Sequence, residues 1–169
     1  MIKNPKANEN TLIDGFEPFY NENSLILILG SFPSVKSREV SFYYGNKQNR
    51  FWKMLSDFFG MPIHSIAEKK KLLSVNEIAL WDIVTKCEII GSLDSAIKNY
   101  SVADVPSLLV NAPNIKKILI NGQTAYKIFT KNFPELSDIA ICLPSTSPAN
   151  TKFDKSAWLK ELEILKKTN

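Results

Sequence analysis

Histidine occurs once in these 169 residues and cysteine twice, and that scarcity closes two routes at the outset. A zinc site needs clustered His and Cys, whereas Cys87 and Cys142 lie far apart without a CxxC pair and His64 stands alone in MPIHS. Neither a metal centre nor a disulfide framework is expected, and both thiols should be reduced and buried. Long apolar runs are missing too: the longest aliphatic stretch, Leu25 to Leu29, is far too short to cross a bilayer. The opening MIKNPKANENTLIDGF carries lysines but no apolar core or cleavage pattern of a leader, so a cytoplasmic protein with no membrane partner is the default expectation. No repeat, low-complexity tract or linker interrupts the chain, and 44% apolar against 22% charged residues suits one soluble domain spanning residues 1–169.

Arginine is also scarce, and its placement is informative. A net charge of +4 permits an acidic partner such as nucleic acid without requiring one. Lysines are scattered from end to end, yet the two arginines, Arg38 and Arg50, flank one aromatic stretch. A planar guanidinium grips phosphate bidentately or stacks on a ring in ways lysine cannot, so the pair hints at a site.

What is present reads as alternating strands and helices. Leu25 to Leu29 closed by Gly30, Ile78 to Val84, Ile115 to Ile120 and Ile139 to Leu143 are short apolar runs of the kind that form fully buried strands. Between and after them lie helix-like segments: Asn49 to Phe59, Ser65 to Leu73, Asp104 to Val110, Gly122 to Phe129 and Lys155 to Lys167. The basic run Lys69 to Lys71 is placed at the far end of its helix, where cations favour the dipole. Strands joined by helical crossovers predict an α/β fold, a three-layer α/β/α sandwich around a central, mainly parallel four-stranded sheet.

Ligands of such sheets bind beyond the carboxyl ends of the strands, and the unusual segments all fall there. After the first strand come GSFPS and FYYGNKQNRFW (Phe42 to Trp52); after the second, Asp82 and the loop TKCEIIGSLDS; after the third, NGQTAY; after the fourth, PSTSPAN. Rings supply stacking surface and carboxamides supply paired donors and acceptors, a mixture suited to a flat polar ligand.

In this order the motifs GSFPS, YYGNKQNRFW, LWDIV followed by GSLDS, ILINGQTAY and LPSTSPAN resemble the uracil-DNA glycosylase superfamily, nearest its hypoxanthine-DNA (deoxyinosine) glycosylase branch. The resemblance runs from about Leu25 to Trp158 and leaves residues 1–24 outside. It implies a monofunctional, monomeric hydrolase that flips a deaminated nucleotide out of DNA and cleaves its N-glycosidic bond without a cofactor. Hypoxanthine is the first expected substrate, uracil or xanthine the next.

The same resemblance assigns roles. Tyr44 matches the ring that stacks on the flipped base, with Tyr43 the alternative. Where most relatives carry a water-positioning Asp or Asn, two residues after the first-motif Gly, this chain has Phe32, which lines the base pocket but cannot hold water. In the hypoxanthine branch the task passes to an Asn before the FW pair, here Asn49, with Asn46 as rival. Asn49 also suits a helix N-cap, and the two roles are compatible. Ser145, where relatives place an imidazole or amide, and Asp82, at the end of the second strand, would face the base. Asn121 and Gln123 would shape its pocket. Ser34, Arg50, Ser147, Pro148, Ala149 and Asn150 would meet DNA, with Ala149 too small for the wedge position it occupies. Asp94 is read as a cap and Trp81 as core. A second reading is a non-catalytic binder of damaged DNA or free base using the same pocket; a third is a small hydrolase acting on nucleosides.

Overall fold

The computed structural model describes residues 11–166. In chain order the strands are β1 (Leu12–Asp14), β2 (Ile26–Gly30), β3 (Ile78–Asp82), β4 (Val84–Glu88), β5 (Lys98–Val102), β6 (Lys117–Asn121) and β7 (Ala140–Leu143). The α-helices are α1 (Val35–Val40), α2 (Phe51–Phe59), α3 (Ile66–Val75), α4 (Val105–Asn111), α5 (Gln123–Asn132) and α6 (Lys155–Lys166). The last residue of the expected C-terminal helix, Lys167, and residues 1–10 of the N-terminal segment lie outside the described residues.

The four apolar runs form one sheet in the order β3-β2-β6-β7, every pair parallel. Parallel neighbours need crossovers, and the helices that supply them cover both faces. Leu27, Leu29, Ile118 and Ile120 pack with Val105, Leu108, Ile128 and Phe129 of α4 and α5. Ile26, Ile28, Leu80 and Leu119 alternate to the other face, against Phe51 and Leu55 of α2, Leu72 and Leu73 of α3, and Trp158 and Leu162 of α6. The result is the expected three-layer sandwich. Phe51 and Trp158 are fully buried, and truncating either to Ala would cost roughly 3–5 kcal/mol.

Three details differ from the sequence expectation. The second strand ends at Asp82, not Val84; the chain turns at Ile83, and Val84 opens β4 in a separate antiparallel sheet ordered β1-β4-β5. The segment expected as a loop therefore begins as a strand. In β4 buried Val84 and Cys87 are separated by half-exposed polar residues and β5 is mostly exposed, so neither strand has the continuous apolar run that betrays a strand buried on both faces. Finally, Lys69 to Lys71 fall mid-helix because α3 continues to Val75. Lys69 and Lys70 lie over the rings of Trp52 and Phe42, at 5.3 and 5.7 Å, so cation–π contact rather than the helix dipole explains them.

The N-terminal segment is woven into this frame. β1 pairs with β4, Phe19 bridges antiparallel to Leu80 at the sheet edge, and the Trp81 indole donates to the Phe16 carbonyl. Among the described residues no helix is long and apolar enough to cross a membrane, and no cluster of His, Cys, Asp and Glu could hold a metal.

Candidate active site

The ends of β2, β3 and β6 open into a cleft of about 830 Å³, a size that suits a nucleoside. Fourteen of the fifteen site candidates named from sequence, Asn121 and Gln123 included, line it; Arg50 does not. The parallel register explains the convergence, since Gly30 sits opposite Asp82 and Asn121 lies one strand further on.

Gly30 is the hub because it has no side chain. A Cβ there would stand 2.4 Å from Asp82 Oδ1 and 2.9 Å from the Tyr44 hydroxyl, so only glycine lets both groups close over the strand end. Asp82 is 5% exposed, and its Oδ2 has no hydrogen-bond partner. Burial, with the Asp94 carboxylate adding, pushes its pKa up to about 7. A buried carboxyl left without a partner, facing a cleft, is a group held in reserve for a ligand.

Tyr44 adopts φ 52°, a left-handed conformation that is unusual for an aromatic residue and costs on the order of 1–3 kcal/mol. Three contacts hold it there. Its ring rests on Phe51 with centroids 4.0 Å apart, its hydroxyl accepts from Asn121 Nδ2 at 3.2 Å, and the next residue's N–H donates to Ser37 Oγ at 2.9 Å. Gly45 is required at that next position, because a Cβ would meet Val40 Cγ2 at 2.6 Å. Tyr43 is fixed differently. Its ring makes edge contacts with Phe16 and Phe42, and its hydroxyl donates to the Glu17 carbonyl at 2.8 Å, so most of it serves the core. Burial, and then the Asp82 charge, pushes both phenols upward, and they stay neutral.

Asn49 and Asn46 both line the cleft from the turn before α2. The N-cap of α2 is Arg50, without a side-chain cap, and not Asn49 as expected; Asn49 Oδ1 accepts from the Phe51 N–H at 3.0 Å in the turn just ahead of the helix, and its amide N–H groups and a second oxygen lone pair stay available. Asn46 Oδ1 accepts from the Gln48 N–H at 3.0 Å. Phe32 is buried against Gly15, with the Arg38 guanidinium over its ring at 5.9 Å. Ser34 caps α1 by accepting from the Ser37 N–H at 3.1 Å.

The fourth loop is built from inside by residues the sequence reading undervalued. Asn121 clasps Thr146, accepting from its N–H at 3.0 Å and donating to its Oγ1 at 2.9 Å; Thr146 is fully buried. Ser145 Oγ accepts from the Ser147 N–H, Ser147 Oγ from the Ala149 N–H, and Asn150 Nδ2 donates back to the Ser145 carbonyl. Pro148 and Ala149 form the exposed tip. Asp94 opens a 3-10 turn and accepts from Ser31 Oγ at 2.6 Å, which ties two loops together. Cys142 is half-buried and lines the cleft, where full burial was expected. Trp81 belongs to the core and His64 to an exposed turn.

Arg50, expected at the DNA, turns inward in the structure. Its Nη1 donates to the carbonyls of Ser147 and Asn150, both at 3.0 Å, and its guanidinium lies 5.0 Å from the Phe153 ring centroid. It is a clamp on the loop. Arg50→Lys keeps the charge but loses the planar group whose Nη1 bridges both carbonyls beside the Phe153 ring, and should lower stability by about 1–3 kcal/mol in a denaturant titration while loosening the loop to protease.

The sequence profile of the family described as Uracil DNA glycosylase superfamily matches residues 17–166. A relative from Methanosarcina acetivorans named hypoxanthine DNA glycosylase is 36% identical over 146 residues, covering 84% of this chain and 90% of its own. One of the same name from Methanosarcina barkeri is 32% identical over 148 residues, covering 85% and 94%. A solution NMR structure from M. acetivorans, described as a candidate uracil DNA glycosylase, superimposes with a TM-score of 0.78 at 33% identity, covering 92% of this chain and 99% of that one.

Proposed function

We propose that this chain, which belongs to the uracil DNA glycosylase superfamily and is a DNA glycosylase, excises hypoxanthine from DNA. The reaction hydrolyses the N-glycosidic bond of a flipped nucleotide. Uracil and xanthine are the secondary substrates. The observation that carries the reading is the convergence of Asn49, Tyr44 and the partnerless Asp82 carboxyl on one cleft at the strand ends.

Each group has a task that fits its chemistry. Flipping a base costs a few kcal/mol, which stacking on Tyr44, about 1–3 kcal/mol, offsets in large part. Deamination of adenine turns N1 from an acceptor into an N–H donor. An ionised Asp82 can only accept, so it takes that N–H and is repelled by the lone pair of the undamaged base. Asn49 holds a water against the anomeric carbon through the oxygen lone pair that Phe51 leaves free; a carboxamide is a poor base, so its contribution is placement. The oxocarbenium-like sugar makes a strong proton acceptor unnecessary. With no nucleophilic lysine in the scheme, the product is an intact abasic site.

Duplexes carrying inosine, uracil or xanthine, incubated with the protein and then cleaved with alkali, test the proposal. Inosine should be released fastest, and duplex affinity should fall steeply between low and physiological salt. Cleavage of free inosine at a comparable rate, or intact duplexes despite normal binding, would overturn it.

A further inference from the structure

The loop tip Pro148–Ala149 offers the cleft no bulky aliphatic side chain, while another loop that lines it carries one. Leu93 lines the cleft and is 65% exposed, and Ile90, three residues earlier, is 84% exposed. Single exposed aliphatics are ordinary. What distinguishes this pair is how firmly the surrounding backbone is held. Arg38 Nη2 donates to the Gly91 carbonyl at 2.8 Å, the Val35 N–H donates to Ser92 Oγ at 2.9 Å, and the Ala96 N–H donates to the Leu93 carbonyl at 2.9 Å. Ser31 Oγ donates to Asp94 Oδ1, so the neighbouring carboxylate is engaged as well. Four ties fix a seven-residue stretch with its aliphatic side chains outward. Apolar surface already ordered before binding loses little entropy on contact.

We propose that Leu93, supported by Ile90, is the wedge that enters the DNA base stack at the gap left by the flipped nucleotide. The inference rests on the base-excision reading above and adds to it the side of the cleft from which the duplex is opened. An emptied stack exposes two apolar base faces, and a leucine side chain between them replaces part of the lost contact. Ala149 lacks the reach to do so. The occupant is a duplex, because a single strand has no facing stack to prise apart.

The test compares single-turnover release of hypoxanthine from duplex and from single-stranded DNA. For Leu93→Ala the duplex-to-single-strand rate ratio should fall by roughly tenfold or more, for Ile90→Ala by less, while Leu93→Phe should keep most of it. A parallel measurement uses a duplex with a tetrahydrofuran abasic analogue beside 2-aminopurine, whose fluorescence rises on unstacking. Leu93→Ala should lose most of that rise. An unchanged ratio and unchanged fluorescence, or equal losses on both substrates, would overturn the wedge. If the wild-type protein releases no base from either substrate, the base-excision reading fails and the fluorescence experiment alone decides the wedge.

Discussion

Asn49→Ala should reduce hypoxanthine release from duplex DNA by about 10²–10⁴-fold while changing duplex affinity less than about threefold. The split follows from where the carboxamide stands. In the proposed mechanism its contact with DNA would be a single water against the sugar, whereas affinity would come from phosphate contacts and base stacking distributed over the cleft. Because Oδ1 also accepts from the Phe51 N–H, Ala additionally removes that turn hydrogen bond and should cost roughly 1 kcal/mol of stability. Asn49→Asp separates the two effects, since an Asp carboxylate can accept the same Phe51 N–H and still hold a water. It should restore stability and keep measurable activity. Asn46→Ala is the necessary comparison. Asn46 shares the cleft and an analogous bond to Gln48, so a larger loss there than at Asn49 would transfer the water to the earlier residue.

The main sheet and the ordering of the site loops were legible because central parallel strands bury both faces and must be aliphatic throughout, as ILILG and IALWD are. The small sheet was not, because only Val84 and Cys87 of VTKCE are buried, between half-exposed polar residues, and KNYSV on its flank is mostly exposed, so neither shows a continuous apolar run. Within the site, the motifs name Asn49, Tyr44 and Asp82, and the structure brings all three to one cleft; the motifs do not separate Tyr44 from its neighbour. Tyr43 and Tyr44 are adjacent and identical in type; what separates them is the backbone, positive φ at Tyr44 turning its ring onto Phe51 while Tyr43 faces Phe16. Arg50 shows the limit from the other direction. A scarce guanidinium beside aromatics reads as a ligand for phosphate, but two backbone carbonyls from a loop nearly a hundred residues away take up its Nη1, and no local sequence signal announces them. Thr146 was passed over for the same reason, since only its full burial against Asn121 reveals that it anchors the loop.

The second large effect is expected at Asp82, and its sign depends on pH. In the unfolded chain this carboxyl ionises near its ordinary value of 3.8, whereas in the fold burial and the Asp94 charge hold the proton until about pH 7. Between those two values the native state binds the extra proton, so stability is fully present below about pH 4 and is lost progressively as pH rises to about 7, at up to ~1.4 kcal/mol per unit. Asp82→Asn removes the titration while keeping the shape, but introduces a buried amide whose donors lack partners, a cost of about 1–3 kcal/mol. The variant should therefore be less stable than wild type at pH 4 and more stable at pH 8, its unfolding free energies crossing between. Chemical denaturation at several pH values reads this directly, and parallel curves without a crossing would contradict it. Function should move the opposite way. Above pH 7 the ionised carboxylate discriminates an N–H from a lone pair, so hypoxanthine should be preferred over adenine most strongly there; below it a protonated Asp82 can donate to adenine N1, and the preference should narrow. The neutral amide can present either end to the base, so Asp82→Asn should show the narrow preference at every pH. Stability gained at pH 8 would thus be accompanied by selectivity lost, because the same partnerless oxygen that strains the fold is the one left free to read the base.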